Sequence, residues 1–141
     1  MNLDSLVEVE LVRVLINECE GEHQIVLKEK KGERSVPISI GPFEALAIHA
    51  KVNDNAPARP MTHDLLATVI NSMGAKLEKV VVDAYAKGEE TGSGTYHGKL
   101  ILQTPAGPRI IDCRPSDGVA LALRLEAPLA VSQQVFEVQN N

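Results

Sequence analysis

Tryptophan is absent from this 141-residue chain, and phenylalanine and tyrosine total four, so platforms on which nucleobases could stack are scarce. Cysteine is nearly absent too. Cys19 and Cys113 stand far apart, in no CxxC or Cys/His spacing, and read as free thiols of a reducing compartment, which excludes a disulfide framework and a structural zinc site. No run approaches the roughly 20 apolar residues that a membrane helix needs, and the opening MNLDSLVEVE alternates acids with apolar residues where a secretory leader would be basic and then apolar. The expected compartment is the cytoplasm. Positive charge is in deficit: 14 Lys and Arg stand against 19 Asp and Glu, a net charge of −5, which excludes a large sequence-independent grip on nucleic acid. The excess is local, because six acids fall in the first 22 residues against Arg13 alone, leaving 13 acids and 13 bases beyond them.

What is present is 44% hydrophobic and 23% charged in 15.2 kDa, the composition of one globular domain spanning 1–141. At this length folding buries roughly two-thirds of the surface that the unfolded chain exposes, so no staple is required. Val7, Val9 and Leu11 alternate with Glu8 and Glu10, the period of a half-buried strand that continues to Ile16. After a turn at 20–22, residues 23–28 read as its hairpin partner and 36–40 as a third strand, with Pro37 pointing to a sheet edge. Pro42 then opens a helix over 42–52 with Phe43, Leu46, Ala47 and Ala50 on one face. A polar, Pro-punctuated loop at 53–60 precedes a second helix over 62–73, whose expected core stripe is Leu65, Leu66, Val69, Ile70 and Met73, and Gly74 stops it. Strands are expected at 80–82 and 95–102, around a Gly-rich loop at 87–94 that reads as a mobile hairpin end, and at 109–112. The third helix, 115–125, is apolar on nearly every side through 119–125, so it is either central or covered by another subunit. The expected class is α+β, a mainly antiparallel or mixed sheet packed with about three helices.

Two stretches share a grammar: Arg59-Pro60-Met61-Thr62-His63-Asp64 and Arg114-Pro115-Ser116-Asp117 each place an arginine, a proline, a hydroxyl and an acid at a helix start. Unpaired N–H groups and the helix dipole favour anions there, so Thr62 and Ser116 read as phosphate-binding or capping residues. His63 lies off the apolar stripe, where it is either an exposed proton carrier or a surface residue. His23, His49 and His97 match no metal-ligand spacing and read as structural. Asp112, Asp117, Asp64 and Glu44 are carboxylates near element ends, and Asp112 and Asp117 converge if the bend at 113–116 reverses the chain. No phosphate-binding glycine loop or nucleophile elbow is present.

The stretch Asp112-Cys113-Arg114-Pro115-Ser116-Asp117-Gly118-Val119-Ala120-Leu121-Ala122-Leu123-Arg124, followed by Pro128, resembles the bifunctional nuclease domain family. Arg59-Pro60-Met61-Thr62-His63-Asp64-Leu65 is similar to its RPxTHDL stretch, and Val36-Pro37-Ile38-Ser39-Ile40-Gly41 with Glu44-Ala45 to its PIxIG..EA stretch. Gly118 departs from the family's usual Ala, and the 87–94 loop is longer and richer in glycine than its usual turn. The resemblance implies a compact α+β domain that assembles into oligomers and cleaves DNA and RNA. On that footing the expected function is metal-assisted phosphodiester hydrolysis: Asp112, Asp117 and Asp64 hold Mg²⁺ or Mn²⁺, Arg59 and Arg114 neutralise phosphate, and His63 moves a proton. The alternative is a non-catalytic oligomeric binding or regulatory module in which the same residues lock helix starts. Nucleic-acid binding is expected to be weak and salt-sensitive, with no membrane partner, and the apolar third helix points to a homo-oligomer.

Overall fold

The alternation at the start of the chain becomes β1 (Leu6–Asn17), which buries Val9 and exposes Glu8 and Glu10. In a computed structural model that describes residues 5–84 and 96–139, it is followed by β2 (Glu22–Glu29), β3 (Ser35–Ile40), α1 (Pro42–Val52), α2 (Thr62–Ser72), β4 (Lys76–Ala84), β5 (Tyr96–Thr104), β6 (Gly107–Cys113), α3 (Pro115–Leu125), β7 (Leu129–Ser132) and α4 (Gln133–Gln139). The Gly-rich loop at 87–94 lies outside the described residues.

The strands form one seven-stranded mixed sheet in the order β3-β2-β1-β7-β4-β5-β6, antiparallel throughout except between β4 and β7. Pro37 does sit on an edge strand, opposite Val26, the kind of strand that tolerates a missing N–H. β4 and β5 pair as expected, with Val80 opposite Leu100. Strand β7 fills the middle and joins β1 to β4, and all four of its residues are buried. Four residues are too few to show a period, so sequence reading passes over both β7 and the seven-residue α4 behind it.

Helix α3 packs between the sheet, at β4 and β5, and the other two large helices, α1 and α2. Its apolar surface is therefore covered within the chain: Val119, Ala120, Leu121 and Ala122 are all buried, Val119 and Leu121 completely. Each of those two contributes about 1.5–3 kcal/mol of burial. The central-helix alternative holds, and the reason for covering α3 with a second subunit falls away. Gly118 allows the close approach, since a Cβ there would stand 2.6 Å from Val80 Cγ1 on β4. Gly74 adopts φ 74° just past α2 and ends it.

The outer helices correct the expected stripes. α1 buries Ala45 and Ile48 while Phe43 and Leu46 face outward. α2 turns His63, Ala67 and Ile70 inward and leaves Leu65, Leu66, Val69 and Met73 exposed. The positions 63, 67 and 70 also share one face at helical spacing, so the smaller, more polar stripe won the packing.

Candidate functional site

The polar residues of the two helix starts meet because α2 and α3 pack against each other. Asp117, in the first turn of α3, is the hub. Its Oδ1 lies 3.0 Å from His63 Nε2 and accepts from Arg114 Nη2 at 3.0 Å, while Oδ2 accepts from Arg114 Nε at 2.9 Å. Arg114 Nη1 donates to Glu44 Oε1 at 3.0 Å, which brings α1 into the same cluster. Burial works to raise the Asp117 carboxyl, but hydrogen bonds from His63 and Arg114, with their charge, outweigh it and hold the group well below the usual carboxylate range. An ionised carboxylate only accepts, so His63 donates through Nε2–H and Nδ1 is the ring nitrogen available for proton transfer. His63 is not the exposed first-turn residue that its place off the stripe suggested: it is 9% exposed and faces α3.

A second knot lies beside the first. Arg124, with only 8% of its side chain exposed, donates to Asp64 Oδ1 at 2.6 Å, to the Ala120 carbonyl at 3.0 Å and to the Ala47 carbonyl at 3.1 Å, so one guanidinium ties α1, α2 and α3 together. Asp64 Oδ2 accepts the Met61 N–H at 2.9 Å; that backbone bond, then Arg124, lowers the carboxyl below its ordinary value. Asp64, three residues past the N-cap of α2, takes the backbone bond expected of Thr62, whereas Asp117, at the same place in α3, is engaged by the side chains of His63 and Arg114. Met61 and Arg114 are the N-cap residues, Thr62 is the first helical residue and exposed, and Ser116 is buried one residue inside α3.

Asp112 stays apart from the cluster. It is exposed on β6 and accepts from Lys99 Nζ at 2.8 Å, a bond that lowers its carboxyl. Arg59 is exposed in the loop before α2 and makes no hydrogen bond or ion pair with the described residues. Glu44, read from the sequence as a carboxylate near an element end but given no role, and Arg124, given none either, hold the two knots; the signal for Arg124 is its place as the lone base of an apolar helix. The Cys113 thiol is pushed up to about 12 by burial, with Asp117 and Asp112 adding to it, so no thiolate nucleophile forms there.

Two grooves open at the cluster and share Arg114 as a wall. The first, about 950 Å³, runs between α1 and α2 past Glu44, His63 and Asp64. The second, about 890 Å³, lies between β3 and the start of α3, past Tyr96, His97, Asp112 and Asp117. A divalent-metal centre is not preformed here: among the described residues no group of three or more His, Cys, Asp or Glu side chains is placed to share an ion. The expected ligands Asp112, Asp117 and Asp64 are each engaged by a cationic side chain instead, and both Asp117 oxygens accept from Arg114.

Fold and site together define the class: an α+β domain whose polar machinery gathers where two helix starts meet a third helix. Residues 25–141 match the bifunctional nuclease domain, and the chain belongs to that family. It is 34% identical over 130 residues to the uncharacterized protein Rv1829 of Mycobacterium tuberculosis strain H37Rv, covering 92% of this chain and 73% of that one. The uncharacterized protein MT1877 of Mycobacterium tuberculosis strain CDC 1551 matches to the same extent. No helix among the described residues is long and apolar enough to cross a membrane.

Proposed function

We propose that this chain is a nuclease that hydrolyses phosphodiester bonds of DNA or RNA at the α1–α2 groove, with Arg114 and His63 as the reacting groups. The observation that carries the reading is the His63–Asp117–Arg114 constellation, which joins an oriented imidazole to a guanidinium whose side chain is 64% exposed. Asp117 fixes the imidazole through Nε2, leaving Nδ1 to take a proton from the water that attacks phosphorus. The ester P–O bond then breaks, and the departing alkoxide takes a proton from the imidazolium or from water. Charge building on the phosphoryl oxygens faces Arg114, with Arg59 as a further exposed cation near the groove's α2 wall. A divalent ion such as Mg²⁺ would need to arrive with the phosphate, because the described residues build no ligand cage. Two free thiols support residence in the cytoplasm.

Cleavage of end-labelled oligonucleotides by the purified protein tests this reading. His63→Gln and Arg114→Lys are each expected to lower turnover at least about a hundredfold, since a point charge cannot replace a fork. A parallel series in EDTA separates this proton-transfer chemistry from one that needs an ion on the phosphate. Cleavage by both variants at the parental rate would overturn the assignment.

A second reading rests on a separate observation. Leu65, Leu66, Val69 and Met73 form an exposed apolar stripe along α2, away from the α1–α2 groove. Such a stripe supports self-association into a homo-oligomer, and without chemistry at Asp117 the chain would be a binding module.

A further inference from the structure

Phe43 is the most exposed large hydrophobic residue among the described ones, at 80%. It stands between Pro42 and Glu44 in the first turn of α1, so the residue that grips Arg114 is its immediate neighbour. Phe136, by contrast, is buried beneath the guanidinium of Arg34, 4.2 Å from the ring centre. The outward ring is not a random surface residue, because Leu46 and Met61, themselves 57% and 61% exposed, line the same groove. One wall of that groove is therefore a cation and its rim is apolar.

A ligand matched to both parts carries an anion next to a flat apolar surface. Phosphate backbone alone has no use for the rim, and a duplex hides its base faces in the stack, whereas an unpaired nucleotide presents both. Of the groove's acids Asp64 is paired with Arg124, while Glu44 shares Arg114 with Asp117, so one negative charge is left over at that pair; Asp54 adds another, Lys51 adds a cation, and binding by phosphate charge alone is weak here. With a net charge of −5, the chain gains little from phosphate contacts spread over its surface, and stacking supplies affinity that needs no charge. We propose that Phe43 is a base-stacking platform that makes the site selective for single-stranded nucleic acid, holding an unpaired base on α1 while Arg114 holds the adjoining phosphate. Tyr96 lines the second groove on Arg114, where a neighbouring base of the same strand meets another ring. This specificity rests on the nuclease reading, but base stacking is measured without cleavage.

The chain has no tryptophan, so Phe43→Trp installs one indole at the platform, which is excited apart from the two tyrosines at about 295 nm, the red edge of their absorption. In a His63→Gln background, a single-stranded hexanucleotide is expected to quench it, while the same strand lacking its bases and the matching blunt duplex leave it unchanged. With otherwise parental protein, Phe43→Ala is expected to raise KM for single strands roughly tenfold or more with kcat kept, and Phe43→Tyr to behave as the parent. Absence of quenching, equal quenching by the abasic strand or duplex, or a change of molecular mass on Phe43→Ala, which would make the ring a contact between copies, each overturns the proposal. Quenching by base-bearing strands, with no cleavage of them by the parental protein, would uphold the platform and overturn the nuclease reading instead.

Discussion

Replacing Asp117 by Asn changes one atom in the hub and should be felt in stability, pH response and turnover together. Three donors converge on the carboxylate: Arg114 Nε, Arg114 Nη2 and His63 Nε2, all within 3.0 Å. An amide offers a single acceptor oxygen, so even in its better orientation it faces one guanidinium N–H with its own NH₂. A hydrogen bond to a charged partner is worth about 1.5–3 kcal/mol, and the exposure of Arg114 screens it, which leaves a loss of about 1–2 kcal/mol. For a domain of this size that lowers Tm by roughly 4–8 °C, with the far-ultraviolet circular dichroism unchanged below the transition. The parental carboxyl titrates below its unfolded value, so its contribution is complete above about pH 4 and is lost as pH falls through the folded value. The Asn variant should therefore lose less stability than the parent between neutral pH and the acid limb. Turnover of a labelled oligonucleotide should drop by about two to four orders of magnitude, because the imidazole loses the negative charge that stabilises it once it has taken the proton. A variant that melts, titrates and cleaves like the parent would show that Asp117 orients nothing.

Arg124→Ala removes three donors at once and leaves the Ala47 carbonyl without its guanidinium, so urea denaturation at unchanged m should report a loss of about 2–4 kcal/mol, of which Arg124→Lys recovers only part. Gly118→Ala gains up to about 1 kcal/mol of helix propensity but drives a methyl into Val80, an overpacking cost of about 1–3 kcal/mol; the net change should be destabilising in the parent and stabilising in a Val80→Ala background, as a double-mutant cycle in thermal melts would show. Leu65→Ser with Val69→Ser should leave the fold intact and reduce the mass by light scattering to the 15.2 kDa monomer, if the α2 stripe holds copies together.

Strands with several alternating residues were legible to within a few positions, because Val7, Val9 and Leu11 carry their burial in their spacing. Helix limits at 42–52 and 115–125 follow from Pro42 and Pro115 at the first helical positions. Which face turns inward was not legible for α1 and α2. Periodicity rewards the larger side chains, yet α2 buries His63, Ala67 and Ile70, and the bulkier Leu65 and Val69 are left outside. Residues of the two helix-start motifs do come together, and Arg114 and Asp117 are joined as their spacing of three allows. Their partners were hidden by distance along the chain: His63 reaches Asp117 across 54 positions and Arg124 reaches Asp64 across 60. Asp112 looked like a neighbour of Asp117 for the opposite reason, since nearness in sequence says nothing of the strand-to-helix turn that sends it to Lys99.

The parallel pairing of β4 with β7 has a consequence for how the chain is assembled. Its seam is short, Val80 to Leu129 through Val82 to Val131, yet it joins the β3-β2-β1 hairpins on one side to the β4-β5-β6 meander on the other. Both of those units close through local antiparallel contacts and are complete, on a ribosome, by the time Cys113 has emerged. The keystone strand comes some fifteen residues later, after α3. Until it slots in, β1 and β4 each present an open edge, and edges of that kind invite pairing with the wrong chain. The order of synthesis thus sets a window of exposure, which closes only when Leu129–Ser132 enters the gap between two sheets already formed.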